Sequence, residues 1–320
     1  MRILKGRTFD FNKNLPKYLV VSGAIMLIGV IMIFVSGIKL DIVFGGGTSM
    51  TFEYTGDIDN DKLSNAIKAG ANVDVAVTTS TNFTNSTQEV DVDFVTKQAA
   101  SLDLQEKIIE IVKETCPDNN IGMPAVSSVS PSVGFSFFMK SLYAIGIASL
   151  LVVLYVGIRF RKIGGISAGV TALIALVHDI LVAFFVCVIF GLPIGTDFVA
   201  VVLTILGYSL NDTIVIYDRV RENRKNFGTK MSIAENVNSS INQTLDRSLT
   251  TAVATFLAIF TVVVVALVLN IDSLLSFALP MSVGVISGSY STICLSGPIW
   301  VRWQQSKQAK DALKKGKKKK

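Results

Sequence analysis

The stretch "ILGYSLNDTIVIYDRVREN", from Ile205 to Asn223, decides how this chain must fold. Apolar residues dominate its first half, yet Asn211 and Asp212 stand side by side within it. An ionisable side chain inside a membrane helix costs about 2.5–3.5 kcal/mol on insertion scales, so it normally faces a polar partner or a water-filled cavity. The stretch therefore predicts a membrane helix with one polar face that serves a function.

The overall composition points to a membrane protein. Of the 320 residues, 50% are hydrophobic and only 17% are charged, and the mean hydropathy is +0.54. Such a chain is too apolar for a soluble globule of this size. The first apolar run is too long for the apolar region of a signal peptide, so we expect it to be retained. Since about 20 apolar residues cross the hydrocarbon core, we predict six membrane helices, at residues 18–38, 137–158, 163–190, 195–217, 248–270 and 277–300.

Charge is distributed unevenly along the chain and predicts its orientation. Residues 39–136 hold 6 basic and 14 acidic side chains, a net charge of −8, whereas the rest of the chain holds 24 and 10, a net charge of +14. By the positive-inside rule the large acidic segment lies outside, and both termini lie in the cytoplasm. The predicted division is a cytoplasmic N-terminus (1–17), a first membrane helix (18–38), an extracytoplasmic domain (39–136), a five-helix membrane domain (137–301) and a basic cytoplasmic tail (302–320).

Basic residues also mark the short connections on the cytoplasmic side. We expect a loop after the fourth membrane helix and a C-terminal tail that is attracted to anionic lipid. Aromatic residues do not alternate with the basic residues of the tail, so nucleic-acid binding is not indicated. The basic positions are Arg2, Lys5, Arg7, Lys13 and Lys17 near the N-terminus, Arg159, Arg161 and Lys162 after the second helix, Arg219, Arg221, Arg224, Lys225 and Lys230 after the fourth, and Lys317 to Lys320.

The acidic segment predicts a small α+β domain over residues 48–131. Four stretches favour strands by alternation or β-branched content, and the helical spacing of apolar residues predicts helices at Asp59–Ala69 and Leu102–Cys116. The resulting order β-α-β-β-α-β is the ferredoxin-like arrangement, which by itself names no function. Two glycosylation triplets, at Asn82 and Asn85, indicate only an exposed hairpin. The strands are "TSMTFEY" (48–54), "VDVAVTTS" (73–80), "EVDVDFV" (89–95) and "AVSSVSP" (125–131).

Polar and ionisable residues interrupt three of the predicted membrane helices. His178 and Asp179 lie in the third helix, Asp212 lies in the fourth, and Arg247 lies at the cytoplasmic end of the fifth. A carboxylate paired with a guanidinium stays ionised, whereas one sealed away from it takes up a proton. An aspartate that alternates between those surroundings would carry protons. The other interpretation is that these groups only hold helices together by hydrogen bonds.

Helical spacing groups further polar side chains with these charges. Three residues on the fourth helix share one stripe and three on the fifth share another, so each charge has hydrogen-bonding company. Small residues at G-x-x-x-G spacing, Gly165 with Gly169 and Gly284 with Gly288, predict close approach of the third and sixth helices to their neighbours. The two polar stripes are Thr204, Tyr208 and Asp212, and Arg247, Thr251 and Thr255.

Four motifs resemble those of the SecD/SecF family, accessory subunits of the Sec pathway that are related to resistance-nodulation-division (RND) transporters. The layout of one span, one exterior domain and five spans resembles the SecF members, and the resemblance covers essentially the whole chain. Val43 stands where an Asp often precedes the Phe of the first motif. The motifs are "FGGGT" (Phe44–Thr48, with Phe44, Gly46 and Gly47 at the matching positions), "VHDI" (Val177–Ile180), "GYSLNDTIVIYDRVREN" (Gly207–Asn223) and "QTLDRSLTT" (Gln243–Thr251).

The resemblance implies a function as well as a fold. It implies a six-helix α-helical membrane protein, half of an RND-type bundle, in the plasma membrane of a prokaryote. SecD, a SecY-type channel and translocating preproteins are the implied partners, and protons are the implied coupling ion, with no metal and no other cofactor. Asp212 and Arg247 match the family's proton-path carboxylate and arginine, and Asp179 is a further candidate. The supporting candidates are Asn211, Tyr208, His178 and Thr251.

Two other functions fit parts of the sequence. An intramembrane aspartyl protease also needs two Asp on neighbouring helices, and Asp179 with Asp212 qualifies by position. Its carboxylates would have to share one proton at about 3 Å, and neither "VHDI" nor "LNDT" has a glycine-rich context. A small-molecule exporter of the same superfamily would need a larger exterior region with a substrate pocket. The single small exterior domain favours the Sec-type function.

Overall fold

Helices make up most of the chain in a computed structural model, which describes residues 8–82, 87–94, 101–269 and 271–317. The glycosylation triplets at Asn82 and Asn85, and the basic residues at 2, 5, 7 and 318–320, lie wholly or partly outside the described residues. The elements in chain order are α1 (Leu15–Ser36), α2 (Ile42–Gly45), β1 (Gly47–Tyr54), α3 (Asn60–Ala71), β2 (Val75–Asn82), β3 (Thr87–Phe94), α4 (Leu102–Thr115), β4 (Ala125–Val129), α5 (Pro131–Arg159), α6 (Ile166–Phe190), α7 (Thr196–Phe227), α8 (Ile233–Val268), α9 (Asp272–Ser291), a π-helical turn (Thr292–Ser296) and α10 (Gly297–Lys317).

Six helices in the described part of the chain are long and apolar enough to cross a membrane, as the sequence predicts. They are α1, α5, α6, α7, α8 and a sixth formed by α9, the π-helical turn and α10. Helix α9 is central and contacts α6, α7 and α8, whereas α1 and α5 pack mainly against α6. The most hydrophobic peripheral helices, α1, α5 and α8, leave most of their surface uncovered by the chain itself.

The predicted loop after the fourth span is wrong, because most of it is helical. Helix α7 continues through Arg219, Arg221 and Arg224 to Phe227, and α8 begins at Ile233 rather than near residue 248. Hydropathy measures apolar length, but a helix continues through polar residues until a breaker or cap ends it. Gly228, at φ 57°, ends α7, and a capping box of Ser232 and Glu235 begins α8.

These polar extensions pack against each other. The buried Asn223 of α7 donates from Nδ2 to Ser240 Oγ and to Gln243 Oε1 of α8, both at 2.9 Å. Arg219 Nε donates to the same Gln243 oxygen at 2.6 Å. The last residue of the signature stretch therefore joins the two helices beyond their apolar segments. Helices α5 and α10 likewise run past the predicted spans, to begin at Pro131 and to end at Lys317.

The α+β domain, residues 47–129, has the predicted ferredoxin-like topology. Its strands lie in the order β2-β3-β1-β4 and all neighbouring pairs are antiparallel. Alternation along β3 buries Val90, Val92 and Phe94 on one face and turns Asp91 and Asp93 to the other. Helices α3 and α4 cover the apolar face, with a core formed by Met50, Phe52, Leu63, Ile67, Ile108 and Val112 among others.

The "FGGGT" motif attaches this domain to the first turns of α5. Phe44 is buried and meets the Phe138 ring edge-on at 5.7 Å between centroids. Gly46 has φ 73°, and a Cβ there would lie 2.5 Å from Pro131 Cα. Only glycine combines that backbone angle with so close an approach. The structure thus gives the motif a packing role at the entry to the domain.

The polar face of the sheet carries Asp93, which lies near Asp91 of the same strand and Asp41 of the segment before α2. The segment before α2 bonds to the α6–α7 connection, with Asp41 N donating to Ile194 O at 3.1 Å. Asp93 is partly buried, and its Oδ1 has no hydrogen-bond partner among the described residues. The pKa of Asp93 is raised to about 6. Burial is the main cause and the charges of Asp91 and Asp41 add to it, whereas a hydrogen bond from Ser49 lowers the pKa.

This environment predicts that Asp93→Asn stabilises the protein in a pH-dependent way. The pKa of Asp93 is about 6 in the folded protein and near its ordinary 3.8 in the unfolded chain. The folded state therefore binds the proton more tightly than the unfolded chain. The stability that this proton contributes is fully present below about pH 4 and is lost as the pH rises through about 6, where Asp93 ionises in the folded protein. At pH 7.5 the variant should gain at most about 3 kcal/mol, and at pH 4 almost nothing.

Thermal unfolding of the purified protein at the two pH values measures the effect. The exposed Asp61 of α3 offers a matched control, because Asp61→Asn removes the same charge from a solvated site. Asp61→Asn should leave the midpoint nearly unchanged at both pH values. An equal gain for Asp93→Asn at pH 4 and pH 7.5 would contradict the titration of Asp93.

Candidate functional site

The Asp179 carboxylate is completely buried and is the most heavily bonded ionisable group of the described membrane helices. Ser287 Oγ and Ser291 Oγ of α9 each donate to it at 2.7 Å, and Ser209 Oγ of α7 donates at 3.0 Å. His178 Nδ1 lies 3.2 Å from the same carboxylate. One side chain on α6 therefore joins three helices.

Glycines allow α9 to come close enough for these bonds. A Cβ on Gly288 would lie 3.2 Å from Ser209 Cβ and 3.6 Å from Asp179 Oδ2, and one on Gly284 would overlap the Ile205 side chain. On α6, a Cβ on Gly169 would lie 2.9 Å from the carbonyl oxygen of Val153 in α5. The close approach predicted from G-x-x-x-G spacing is confirmed at these positions.

Hydroxyl groups continue this network along the centre of the bundle. Thr292, the first residue of the π-helical turn, lies 3.1 Å from Thr213 Oγ1 through its own Oγ1 and 3.5 Å from Ser209 Oγ. Further along, the buried Tyr217 hydroxyl bonds to Ser296 Oγ at 2.9 Å and to Thr171 Oγ1 at 3.1 Å. Together they form a set that we call the hydroxyl seam: His178, Asp179, Thr171, Ser209, Thr213, Tyr217, Ser287, Ser291, Thr292 and Ser296.

Of these ten residues, the sequence analysis named only His178 and Asp179 as candidates. The four seam members in α9 and the π-helical turn come from "SGSYSTICLSGP", Ser287 to Pro298, an apolar stretch in which hydroxyl side chains recur every few residues. That density of Ser and Thr was the available signal. The irregular turn there is a π-helix, a distortion found frequently at functional sites.

Asp212 occupies a different and less complete environment. It is 6% exposed, and Ser248 Oγ of α8 donates to its Oδ1 at 3.1 Å. Its Oδ2 is buried without a hydrogen-bond partner among the described residues. A buried acceptor left unpaired costs about 1–3 kcal/mol unless a proton or another group satisfies it. Asp212 is therefore the carboxylate with room to change its state or its partner.

The expected ion pair between Asp212 and Arg247 is not formed in this structure. Arg247 acts on Asp212 by its charge, but no salt bridge joins them in the described part of the chain. Ser248, the next residue, is the direct partner instead. Successive residues of a helix point about 100° apart, so α8 cannot direct Ser248 and Arg247 at the same carboxylate equally.

The supporting residues predicted around Asp212 divide into two groups. The Tyr208 hydroxyl is buried and faces Thr255 and Ser289, although it makes no hydrogen bond with the described residues. Asn211 and Thr251 lie at exposed positions of α7 and α8, away from the carboxylate. Asn211 therefore points away from Asp212 in this structure, because adjacent helical residues face different directions, and Tyr208 is the supporting candidate whose hydroxyl is buried on the same helix.

The two buried aspartates belong to separate networks. Ser209, one turn before Asp212 on α7, donates to Asp179, while Asp212 turns to Ser248. Among the described contacts no hydrogen bond joins the two carboxylates. A protease dyad needs its carboxylates to share a proton at about 3 Å, so this geometry does not support the aspartyl protease hypothesis.

Comparisons with known proteins agree with the geometry. The family model described as "Protein export membrane protein SecD/SecF, C-terminal" matches residues 107–306. The protein translocase subunit SecF of Petrotoga mobilis is 33% identical over 294 residues, which cover 91% of this chain and 94% of that protein. The SecF of Sebaldella termitidis is 29% identical over 301 residues, 94% of each chain.

Longer relatives contain a similar region within one chain. SecDF of Bacillus subtilis is 29% identical over 309 residues, 95% of this chain but 39% of that protein. The crystal structure of SecDF from Thermus thermophilus, described as a translocon-associated membrane protein, matches with a TM-score of 0.74 and 26% identity. The matched region covers 94% of this chain but only 39% of the longer SecDF chain.

Fold, buried carboxylates and comparisons together define a multi-pass membrane protein that is an accessory subunit of the Sec translocase. The chain belongs to the SecD/SecF protein export family, and its full-length similarity is to SecF. This membership favours protein export over the small-molecule exporter.

The Asp179 network predicts a graded loss of stability on substitution. Asp179→Leu leaves the hydroxyls of Ser209, Ser287 and Ser291 without their acceptor and should cost about 2 kcal/mol or more. Asp179→Asn keeps one acceptor oxygen and the shape, so it should cost about half as much. Thermal unfolding in detergent measures both variants, and equal stability of the two would show that the hydroxyls find other partners.

Proposed function

We propose that this chain pairs with SecD beside a SecY-type channel and uses the proton-motive force to promote preprotein export. The observation that carries the proposal is Asp212, a buried carboxylate with one satisfied and one unpaired oxygen beside the helix that bears Arg247. Intramembrane carboxylates of this kind mark ion pathways by default. The similarity to proteins named protein translocase subunit SecF is the reason for proposing preproteins as the transported molecules.

The proton step in this proposal is a change of state at Asp212. Protonation makes the side chain neutral, and its hydroxyl can then donate to a neighbouring acceptor. Loss of the proton restores a carboxylate, whose charge the Arg247 guanidinium stabilises when α7 and α8 bring the two together. Ser248 keeps Oδ1 in place in the state described here. The small rotation that exchanges Ser248 for Arg247 is the mechanical output of the step.

That output can reach the α+β domain through existing contacts. The domain is anchored on α5 through Phe44 and Gly46, and α5 packs directly against α7 and α6. The segment before the domain also bonds to the α6–α7 connection at Ile194. A shift of α7 would therefore tilt the domain, which we place outside the cell because of its acidic composition and the basic cytoplasmic residues.

SecD is the proposed partner of the polar edge of the bundle, where Asn211 and Thr251 are exposed on the helices that hold Asp212 and Ser248. The SecDF relatives hold a similar region and a longer remainder in one chain, which supports an association between the corresponding separate subunits. Tyr208 Oη, Asp212 Oδ2 and Ser289 Oγ are buried polar atoms without hydrogen-bond partners among the described residues. A second six-helix half that supplies polar groups there would complete the RND-type bundle.

The proposal predicts that two variants lose proton-dependent transport but keep their assembly with SecD. Asp212→Asn keeps the shape and most of the hydrogen bonding but cannot titrate, and Arg247→Met keeps length but loses charge. Both should retain near-normal protein level and SecD association while losing proton-dependent stimulation of export, as measured with inverted membrane vesicles with and without an uncoupler.

Asp218→Asn is the matched control, because it removes a carboxylate from the same helix at an exposed ion pair with Arg159 and Arg221. It should export normally. If Asp212→Asn also exports normally and only Asp212→Leu fails, Asp212 is a structural group and the proton route is wrong.

The incomplete polar edge also predicts that SecD stabilises this chain. Coexpression and copurification with SecD should raise its thermal midpoint in detergent by several degrees, about the effect of 1–2 kcal/mol for a chain of this size. Static light scattering on the same samples reports the stoichiometry. An unchanged midpoint together with a stable homo-oligomer would argue that the chain completes its own bundle.

A further inference from the structure

The α+β domain has one sheet edge that the described chain leaves open. Strand β4 ends the sheet order, and it pairs only with β1 through residues 47–51. Its residues Ala125 to Ser128 are exposed, and no described strand lies on its outer side. The opposite edge, β2, contacts α9 of the membrane domain. Among the described residues, the β4 edge therefore lies open to another chain, whereas the β2 edge faces the membrane domain.

The β4 edge also lacks the usual protection against pairing. Natural edge strands carry charged side chains, proline or bulges that discourage the addition of another strand. The sequence of β4, "AVSSV", contains none of these residues. Two apolar side chains are exposed here: Met123, just before the strand, at 76%, and Val126, within the strand, at 44%. Such an edge attracts an extended segment rather than repelling it.

A shallow groove lies between α4 and Met123, two residues before the start of β4, and it carries a net negative charge. It has a volume of about 530 Å³ and is bounded by α4 on one side and Met123 on the other. Ile109 and Met123 provide apolar surface, and three glutamates against one lysine give the groove a net negative charge. Its lining residues are Glu106, Ile109, Glu110, Lys113, Glu114 and Met123.

We infer that β4 and this groove bind an extended polypeptide segment by strand addition. The backbone of the segment bonds to the free edge of β4, and alternate side chains enter the groove, where apolar groups contact Ile109 and Met123. Basic side chains pair with Glu106, Glu110 and Glu114. Strand addition next to a helix is an established mode of peptide recognition, in which main-chain bonds supply affinity and the groove supplies preference.

The occupant is an unfolded segment of the translocating chain, an assignment that rests on the proposed function. A protein being exported crosses the membrane unfolded, and cargo proteins differ in sequence. Recognition through backbone groups suits such cargo because every non-proline residue carries one donor and one acceptor. The acidic groove adds a preference for segments that contain lysine or arginine.

Peptide binding tests the edge and the groove directly. The probe is a fluorescent ten-residue peptide of alternating valine and lysine, and the sample is the full chain with SecD in lipid nanodiscs. We expect micromolar binding by fluorescence anisotropy, at least 10-fold weaker in Glu106→Lys/Glu110→Lys. The matched control Asp61→Lys/Asp57→Lys makes the same charge change elsewhere on the domain and should bind normally.

A second peptide separates strand addition from simple charge attraction. N-methylation of alternate amides keeps the charge but blocks the backbone bonds, so this peptide should bind at least 10-fold more weakly. Equal binding of the two peptides, or equal loss in both charge-reversal variants, overturns the inference.

Crosslinking during export identifies the occupant. Benzoylphenylalanine in place of Val126, in the full chain with SecD, should crosslink a preprotein arrested in the channel, whereas the same group in place of the exposed Lys62 of α3 should not. Crosslinks from position 126 to SecD alone overturn the inference, because a partner subunit then covers the edge. Proton-dependent export is measured in the same membranes. If export is stimulated normally and no preprotein crosslink forms, strand addition is wrong and the proposed function stands.

Discussion

The carboxylate of Asp179 and the three serine hydroxyls that donate to it are the interaction on which the membrane bundle depends. A charge in a low-dielectric interior must be hydrogen-bonded, since water is not available to satisfy it. Asp179 obtains its donors from α7 and α9, which forces those helices against α6. Close contact in turn requires glycine at 284 and 288, and the hydroxyl seam continues through the π-helical turn.

The two buried aspartates differ in how completely the described residues satisfy their oxygens. Asp179 accepts from three serine hydroxyls of α7 and α9, so removal of its carboxylate would leave several hydroxyls without an acceptor. Asp212 has a single hydroxyl donor and one oxygen without a partner among the described residues, and the proposed proton step rests on this difference. Ser209, which bonds to Asp179, and Asp212 lie one turn apart on α7. A displacement of α7 at Asp212 would therefore also displace the donor to Asp179.

The α+β domain is tied to the bundle at its entry and exit, which is the connection that the proposed mechanism needs. Glycine at position 46 lets β1 start directly against the first turn of α5. The apolar face of the sheet is filled by α3 and α4. Its polar face and its β4 edge remain for contacts with other groups, and burial together with the charges of Asp91 and Asp41 raises the pKa of Asp93 on that face.

Local patterns in the sequence determined the class of the protein. Apolar length predicted six membrane helices, alternation and helical spacing predicted the β-α-β-β-α-β order, and the cost of a buried charge singled out Asp179 and Asp212. These properties depend on neighbours within a few residues, which the sequence displays directly. Breakers and caps at Gly228 and Ser232 were also visible, yet hydropathy hid the helical extensions because it measures only apolar length.

The partners of each polar side chain were decided by the tertiary structure alone. Ser248 rather than Arg247 reaches Asp212, Asn211 turns outward, and Ser287 and Ser291 converge on Asp179 from more than a hundred residues away. Such pairings depend on how each helix is rotated about its axis and how near its neighbour lies. Rotation and spacing follow from the packing of whole helices, where a single glycine contact can change the distance between two helices. No local window of sequence contains that information.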